Sequence, residues 1–238
     1  MMDSQTPQEF ILEAFADPAS VRDVVKGILH TIFFHRFFPP VTPRSREVLD
    51  ITLPYVGDAE LDTMIEKRAD ELAQQLDAER STTKSSSGGG SNRAGLGRGL
   101  GGLAGALGSG SGAGAGGDGR GTITVQFFEK KRRKAWYGGR DEEVCWESWT
   151  LKVTVAEPRT ESERAKVRNA MEQTLSATIM KLVTCVNTQK DHIPPITTSE
   201  ANPFPYQINV NPGTGGGVGS GDGATAPGAG WTTRMGIY

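Results

Sequence analysis

The chain is poor in cysteine. Only Cys145 and Cys185 occur among its 238 residues, and neither lies near another cysteine or a histidine at a spacing typical of a metal site. This pattern argues against a disulfide framework and against a zinc module. We predict that both cysteines are reduced core residues, and that the protein has no cofactor and no metal.

Long apolar runs are also missing. No stretch is long and uncharged enough for a transmembrane helix, and the N-terminal sequence MMDSQTPQEF lacks the basic and apolar regions of a signal peptide. No Asn-x-Ser/Thr acceptor for N-glycosylation occurs either. These absences predict a cytoplasmic protein without a membrane-spanning segment.

Net charge is small, at −2, and the sequence pI is about 6.0. A chain with this balance does not attract nucleic acid or an acidic membrane as a whole molecule. Any such interaction would have to come from a local patch.

Glycine, in contrast, is abundant but confined. Of 31 glycines, 17 fall within residues 88–121 and 9 within residues 213–230. Such tracts bury too little apolar surface to offset the entropy of ordering. We therefore predict one domain in two parts, with this division: a flexible N-terminal lead (1–18), the first part of the domain (19–80), a disordered insertion (81–121), the second part (122–211), a glycine-rich loop (212–230) and a terminal strand (231–238).

Periodic patterns in the remainder predict three amphipathic helices and several strands. Ser20 precedes the first helix, Asp58 opens the second, and Thr160 with Glu163 forms a capping box before the third, whose stripe predicts the main core helix. A strand is predicted from about 47 to 55, and others flank residues 130–149. This order predicts an α+β fold, an antiparallel sheet with helices packed on one face.

The most unusual stretch is residues 130–149, KKRRKAWYGGRDEEVCWESW, which holds three of the four tryptophans. We predict a hairpin loop, because strand-like alternation lies on both sides and Gly138 and Gly139 suit a reversal. Trp136 and Tyr137 then form an exposed aromatic finger, the candidate partner-binding site. Five cations form a supporting basic patch: Lys130, Lys131, Arg132, Arg133 and Lys134.

Other interpretations of these residues stay open. Trp136 could instead fold back and be buried as a core side chain. Trp146 and Trp149 differ by an odd number of positions, which predicts opposite faces of one strand and packing roles. We find no catalytic constellation: Cys185 with His192 lacks an orienting group, and the acidic run at 141–143 is typical of a solvated surface.

Three short motifs together resemble a known family. They are LHTIFFHR, ending at Arg36; FFEKK, ending at Lys131; and WESWTLKV, ending at Val153. The resemblance is to the autophagy-related protein 101 family and covers nearly all of the chain outside the glycine tracts. It implies a single HORMA-like domain. In that family the loop before the Trp-Glu-x-Trp strand is an exposed aromatic finger, and Trp136 matches its tryptophan.

The resemblance also implies a function. It is that of a non-enzymatic scaffold in the autophagy-initiation kinase complex, at the preautophagosomal structure. Such a subunit pairs with the HORMA domain of autophagy-related protein 13 and recruits downstream factors through the finger. The chain departs from the family pattern because Tyr137 follows the tryptophan directly and the usual proline is missing.

Two alternatives come from other classes of protein. An RNA-binding module would use the cations at 130–134 for phosphates and the two aromatic side chains for base stacking. A checkpoint-type HORMA protein would instead clasp peptides with a mobile C-terminal segment.

Overall fold

The computed structural model describes residues 6–40, 42–86, 119–132, 141–197 and 202–211, with backbone only at 82–86, 132 and 141. Within these ranges the elements follow one another in this order: β1 (Gln8–Ala16), α1 (Val21–Arg36), β2 (Pro43–Val48), β3 (Ile51–Val56), α2 (Ala59–Ser86), β4 (Gly119–Arg132), β5 (Asp141–Val155), α3 (Glu161–Thr188) and β6 (Tyr206–Val210).

A four-stranded sheet with the order β1, β5, β4, β6 carries the described part of the chain. Strand β4 runs antiparallel to both β5 and β6, whereas β1 runs parallel to β5. The α+β class is confirmed, and the architecture is consistent with a HORMA-like fold. The sheet is mixed, however, so the prediction of a purely antiparallel sheet is wrong.

Strand β1 is the reason for that difference. The predicted flexible lead at 1–18 is wrong for Gln8–Ala16, which form this strand. Alternate residues of β1 are buried against the helices: Phe10, Leu12, Ala14 and Ala16. Ile11, Glu13 and Phe15 between them point to the other face. Because two of these three residues are apolar, the sequence does not show the clean period of two expected of a half-buried strand.

The predicted single strand at 47–55 is a two-stranded hairpin. Strands β2 and β3 pair with each other in an antiparallel ribbon. Leu49 and Asp50 between them have φ values of 49° and 63°, a conformation in which leucine is uncommon. The strand prediction failed because no glycine or asparagine marks this reversal.

Helix α1 is the main core helix. Twelve of its sixteen residues are buried, and it packs against the sheet, β3, α2 and α3. Helix α3 was predicted for this role, but its buried residues form only a narrow stripe: Met171, Leu175, Thr178, Leu182 and Val186. Its predicted capping box of Thr160 and Glu163 is confirmed.

Helix α3 covers an edge of the sheet. Thr178 Oγ1 donates to the backbone carbonyl of Glu13 at 2.5 Å, and Lys181 Nζ donates to that of Ile11 at 2.8 Å. These carbonyls belong to β1, whose other edge pairs with β5. Side chains of α3 thus satisfy backbone groups that an edge strand would otherwise leave open for pairing with another chain.

The boundaries predicted for the glycine-rich insertion also differ from the structure. Helix α2 continues to Ser86 and β4 already begins at Gly119, so 81–121 is too wide at both ends. Gly121 allows β4 to approach α2 closely, because a Cβ at this position would lie 2.7 Å from Leu72 Cδ1 of α2. Residues 87–118, the loop at 212–230 and the predicted strand at 231–238 lie outside the described residues.

Helices α1 and α2 run side by side and are linked by a ladder of polar contacts at four-residue steps. The pairs are Arg22–Asp70 at 3.2 Å, Lys26–Glu66 at 3.0 Å and His30–Asp62 at 3.2 Å. The first pair is exposed, whereas His30 is only 1% exposed and stacks on the ring of Tyr55 at 4.2 Å. The ladder thus runs from solvent into the interior.

In the described ranges, no helix is both long and apolar enough to cross a membrane.

The buried end of the ladder predicts a pH dependence of stability. Burial lowers the pKa of His30 below 6.5, and this outweighs the opposing effect of Asp62. Below about pH 6.5 the unfolded chain therefore binds a proton that the folded protein excludes, so stability falls as the pH decreases towards the folded-state pKa. Urea unfolding at about pH 7.5 and 5.5 should show this loss, and His30→Gln should reduce it.

His35→Gln is the matched variant for this experiment, since His35 lies on the same helix and burial also lowers its pKa. An undiminished loss of stability in His30→Gln would contradict the assignment to His30.

Candidate partner-binding site

The β4–β5 hairpin is longer than the sheet that carries it. The neighbouring strands make their last pairings at Gln8–Glu147 and Phe127–Tyr206. Beyond that point only β4 and β5 continue, through the pairs Lys130–Glu143, Lys131–Glu142 and Arg132–Asp141. We call this two-stranded extension, residues 128–132 and 141–146, the stem.

The stem shows where the predicted site residues lie. Lys130 and Lys131 are exposed on it, and the backbone of Arg132 forms its last pair. The finger residues Trp136 and Tyr137, together with Arg133 and Lys134, lie outside the described residues. Strands β4 and β5 pair as far as Arg132 and Asp141, so the predicted hairpin is confirmed up to this pair.

Opposite charges face each other along the stem. Lys130 pairs in register with Glu143 and Lys131 with Glu142, and Lys131 Nζ also lies 3.3 Å from a carboxylate oxygen of Glu129. Exposed pairs of this kind contribute little to stability. Their effect is to neutralise the described part of the basic patch locally.

A buried polar network lies where the stem leaves the sheet. At its centre is Glu147 of β5, whose side chain is completely buried. Arg36 Nε, from the last residue of α1, lies 2.9 Å from both carboxylate oxygens, and His192 Nε2 donates to one of them at 2.6 Å. The indole N–H of Trp149 donates to the other oxygen.

The network contains more donors than acceptors. One carboxylate serves Arg36, His192 and Trp149, while Arg36 Nη2 and Trp146 Nε1 are buried with no partner within the described part of the chain. A buried guanidinium without a counter-charge is costly, so the single negative charge of Glu147 is indispensable here. Three segments distant in sequence therefore have to meet at this point.

Trp146 occupies an irregular position beside this network. Phe127 pairs with Glu147 but Phe128 pairs with Cys145, so Trp146 is the extra residue of a β-bulge. Both Trp146 and Trp149 are buried, which confirms their packing role. The prediction that Trp146 and Trp149 lie on opposite faces of the strand is wrong. The bulge interrupts the alternation, and Trp146 also contacts the core residue Phe127.

Sequence reasoning missed Arg36, Glu147 and His192 as a unit. Two signals were available. Glu147 lies in the alternating phase of Trp149 and Leu151, which points a carboxylate into the core, and Arg36 is four residues after the buried Ile32 on the same face of α1. His192 follows the end of α3, and nothing in its local sequence indicates this contact.

The described residues contain no group of three His, Cys, Asp or Glu side chains that could hold a metal ion. His192 is engaged by Glu147, and burial raises the pKa of the Cys145 thiol. What the arrangement provides is a fixed base for a projecting hairpin.

These features define the class: an α+β domain, consistent with a HORMA-like fold, that carries a long hairpin on one end of its sheet. The family model "Autophagy-related protein 101" matches residues 13–200. The chain belongs to the autophagy-related protein 101 family, and its role is in autophagy.

Two relatives bear the same name. The protein called autophagy-related protein 101 in Schizosaccharomyces pombe is 28% identical over 187 residues, which span 78% of this chain and 77% of the relative. That of Arabidopsis thaliana is 22% identical over 209 residues, 79% of this chain and 78% of the relative. Neither name is that of an enzyme.

Glu147→Gln tests the network. The amide keeps the shape of the side chain but leaves Arg36 buried without a counter-charge, so we expect a loss of about 3–5 kcal/mol in the free energy of unfolding. Chemical denaturation measures this loss. Glu161→Gln is the matched control, because Glu161 forms an exposed pair with Arg164 and should change stability little. Equal effects of the two variants would contradict a central role for Glu147.

Proposed function

We propose that this protein is a non-enzymatic scaffold subunit of the autophagy-initiation kinase complex. In this proposal it pairs with the HORMA domain of autophagy-related protein 13 and stabilises it. It also recruits downstream autophagy factors through an aromatic finger formed by Trp136 and Tyr137. It acts in the cytoplasm and at the preautophagosomal structure. Membership of the autophagy-related protein 101 family supports this proposal.

The stem is the observation that carries the finger hypothesis. Its last described pair joins Arg132 to Asp141, and Trp136 and Tyr137 lie at the centre of the eight residues between them. A hairpin that extends past its sheet buries nothing of the core with its distal part. Such extensions are where binding residues are commonly carried, on a rigid scaffold.

Exposed apolar side chains support the pairing with another domain. Phe34 and Phe38, at the C-terminal end of α1, are 38% and 37% exposed, and Phe38 packs edge-on against Phe204 at 5.3 Å. Met180 of α3 is 64% exposed. Large apolar groups left in contact with water favour coverage by a partner protein.

Of the two alternatives, RNA binding fits the described residues less well. Lys130 and Lys131 each lie opposite a glutamate across the stem, whereas phosphate binding needs an unopposed positive surface. The peptide-clasping alternative depends on the C-terminal segment, 212–238, which lies outside the described residues.

Trp136→Ala should separate folding from recruitment. An exposed aromatic anchor contributes little to folding, but its loss weakens binding by roughly 2 kcal/mol or more, about 30-fold. We expect the variant to melt like the wild type, keep its HORMA partner and lose downstream factors in co-purification. Tyr137→Ala should show the same pattern more weakly.

Trp146→Ala is the matched variant. Trp146 is 7% exposed and packs against Phe127 and Phe204, so its truncation should cost about 3–5 kcal/mol in stability. If Trp136→Ala lowers the melting temperature as much as Trp146→Ala, Trp136 is a core residue and the finger hypothesis is wrong. Loss of single-stranded RNA affinity, with steep salt dependence, would instead favour the RNA-binding alternative.

The proposed heterodimer is tested by the effect of partner binding on the stability of the chain. A partner that binds only the folded chain stabilises it, by about 2.7 kcal/mol when the free partner is 100 times its Kd. We expect the purified HORMA domain of autophagy-related protein 13 to raise the melting temperature and co-expression to raise the soluble yield. A melting temperature indifferent to a saturating excess of that domain would contradict the pairing.

A further inference from the structure

The segment that follows α3 crosses the end of the sheet at the point where the stem begins. We call residues 189–193 the strap. Near its start, Gln189 Oε1 accepts a hydrogen bond of 3.0 Å from Gln8 Nε2 of β1. Further along, the ring of His192 lies 6.1 Å from that of Phe10 and 5.7 Å from that of Trp146. The strap thus reaches from the edge strand β1 to the central strand β5.

At β5 the strap meets the bulge. The ring of Trp146, the extra residue, lies against Phe204, Phe127 and His192. The adjacent Glu147 is held by Arg36 on one side and by His192 on the other. Because a bulge bends its strand and increases the local twist, whatever fixes the bulge also fixes the direction of the strand beyond it.

Apart from one backbone hydrogen bond of 2.8 Å, from Phe128 N–H to the carbonyl of Pro205, the stem has little else to fix its direction. Past the pairings Gln8–Glu147 and Phe127–Tyr206 it consists of two strands, and an isolated two-stranded ribbon is only marginally stable in water. Its charged pairs are exposed and contribute little. Orientation of the stem therefore has to come from its base.

His192 differs from Arg36 in what it contributes. Arg36 already reaches both oxygens of Glu147 at 2.9 Å, so the buried charge stays compensated if His192 is lost. The His192 side chain is 17% exposed, at the surface of the network, whereas that of Glu147 is fully buried. Removing its hydrogen bond should therefore release the bulge without unfolding the domain.

We propose that His192 is a positioning residue: the strap, through the hydrogen bond from His192 to Glu147, holds the Trp146 bulge and sets the direction in which the stem leaves the sheet. The consequence for binding rests on the proposed function, since the stem would then aim residues 133–140 at a partner. Because the strap follows α3 directly, the C-terminal end of α3 would also influence the direction of the stem.

Two substitutions isolate the hydrogen bond. His192→Phe keeps a ring next to Trp146 and Phe10 but cannot donate to Glu147, whereas His192→Gln loses the ring but can donate. We expect amide exchange in His192→Phe to rise by roughly three- to tenfold, the effect of losing one hydrogen bond, at residues 128–131 and 142–146. Exchange within α1 should stay unchanged, and His192→Gln should resemble the wild type.

A distance measurement tests orientation directly. Spin labels at Glu143 on the stem and Lys67 on α2, both exposed, are introduced into the full chain with Cys145 and Cys185 replaced by serine. The distance distribution should shift or broaden in His192→Phe and stay close to the wild type in His192→Gln. Coincident distributions for all three proteins, or faster exchange throughout the core, would overturn the proposal.

Both measurements use the chain alone, so they do not depend on any partner. If Trp136→Ala leaves all partner binding intact, the finger hypothesis fails while the exchange and distance data still decide the role of His192. If the stem is released in His192→Phe and recruitment drops as it does in Trp136→Ala, the strap controls the presentation of the finger.

Discussion

A single buried ion pair organises one end of this protein. Glu147 projects into the interior from the central strand β5, and the carboxylate is tolerable there only because the guanidinium of Arg36 meets it. The pair ties the last residue of α1 to the sheet. Within the described residues α1 supplies more of the core than α2 or α3. Its position over the sheet and the place where the hairpin leaves the sheet are fixed by the same contact.

The rest of that end follows from the need to satisfy this carboxylate. Trp149 and His192 complete its hydrogen bonds, and the bulge at Trp146 lets two neighbouring tryptophan positions pack against the core. The ladder between α1 and α2 is different in kind, because its outer pair, Arg22–Asp70, is open to solvent and contributes little. Stability and the geometry of the hairpin thus depend on the same buried network at the base of the hairpin, and not on the exposed charge pairs.

This arrangement suits the proposed role of the protein as a scaffold in autophagy. The core lies between one face of the sheet and the helices, and the hairpin extends from it without being needed to complete it. Residues carried on such an extension can change with little cost to folding, whereas those at its base cannot. The relatives from fission yeast and a plant share only 28% and 22% of their residues with this chain over the aligned lengths.

The sequence by itself determined the local elements. Periodicity and caps located all three helices, as with Asp58, which accepts from the backbone N–H of Leu61 at 2.8 Å, and Thr160. Alternation located β4 and β5. These predictions succeed because they depend on neighbours a few residues away. The β4–β5 hairpin was predicted in the same way, and the described residues confirm it up to the pair Arg132–Asp141.

The tertiary structure alone decided which strands pair and which charges meet. The parallel partner of β1 is more than a hundred residues away, so no local pattern reveals it, and the turn at Leu49 and Asp50 lacks the usual residues. The Arg36–Glu147–His192 network joins residues 111 and 45 positions apart. Sequence phase can show that a charge is buried, but its partner is chosen by the fold, because only packing brings distant segments within hydrogen-bonding distance.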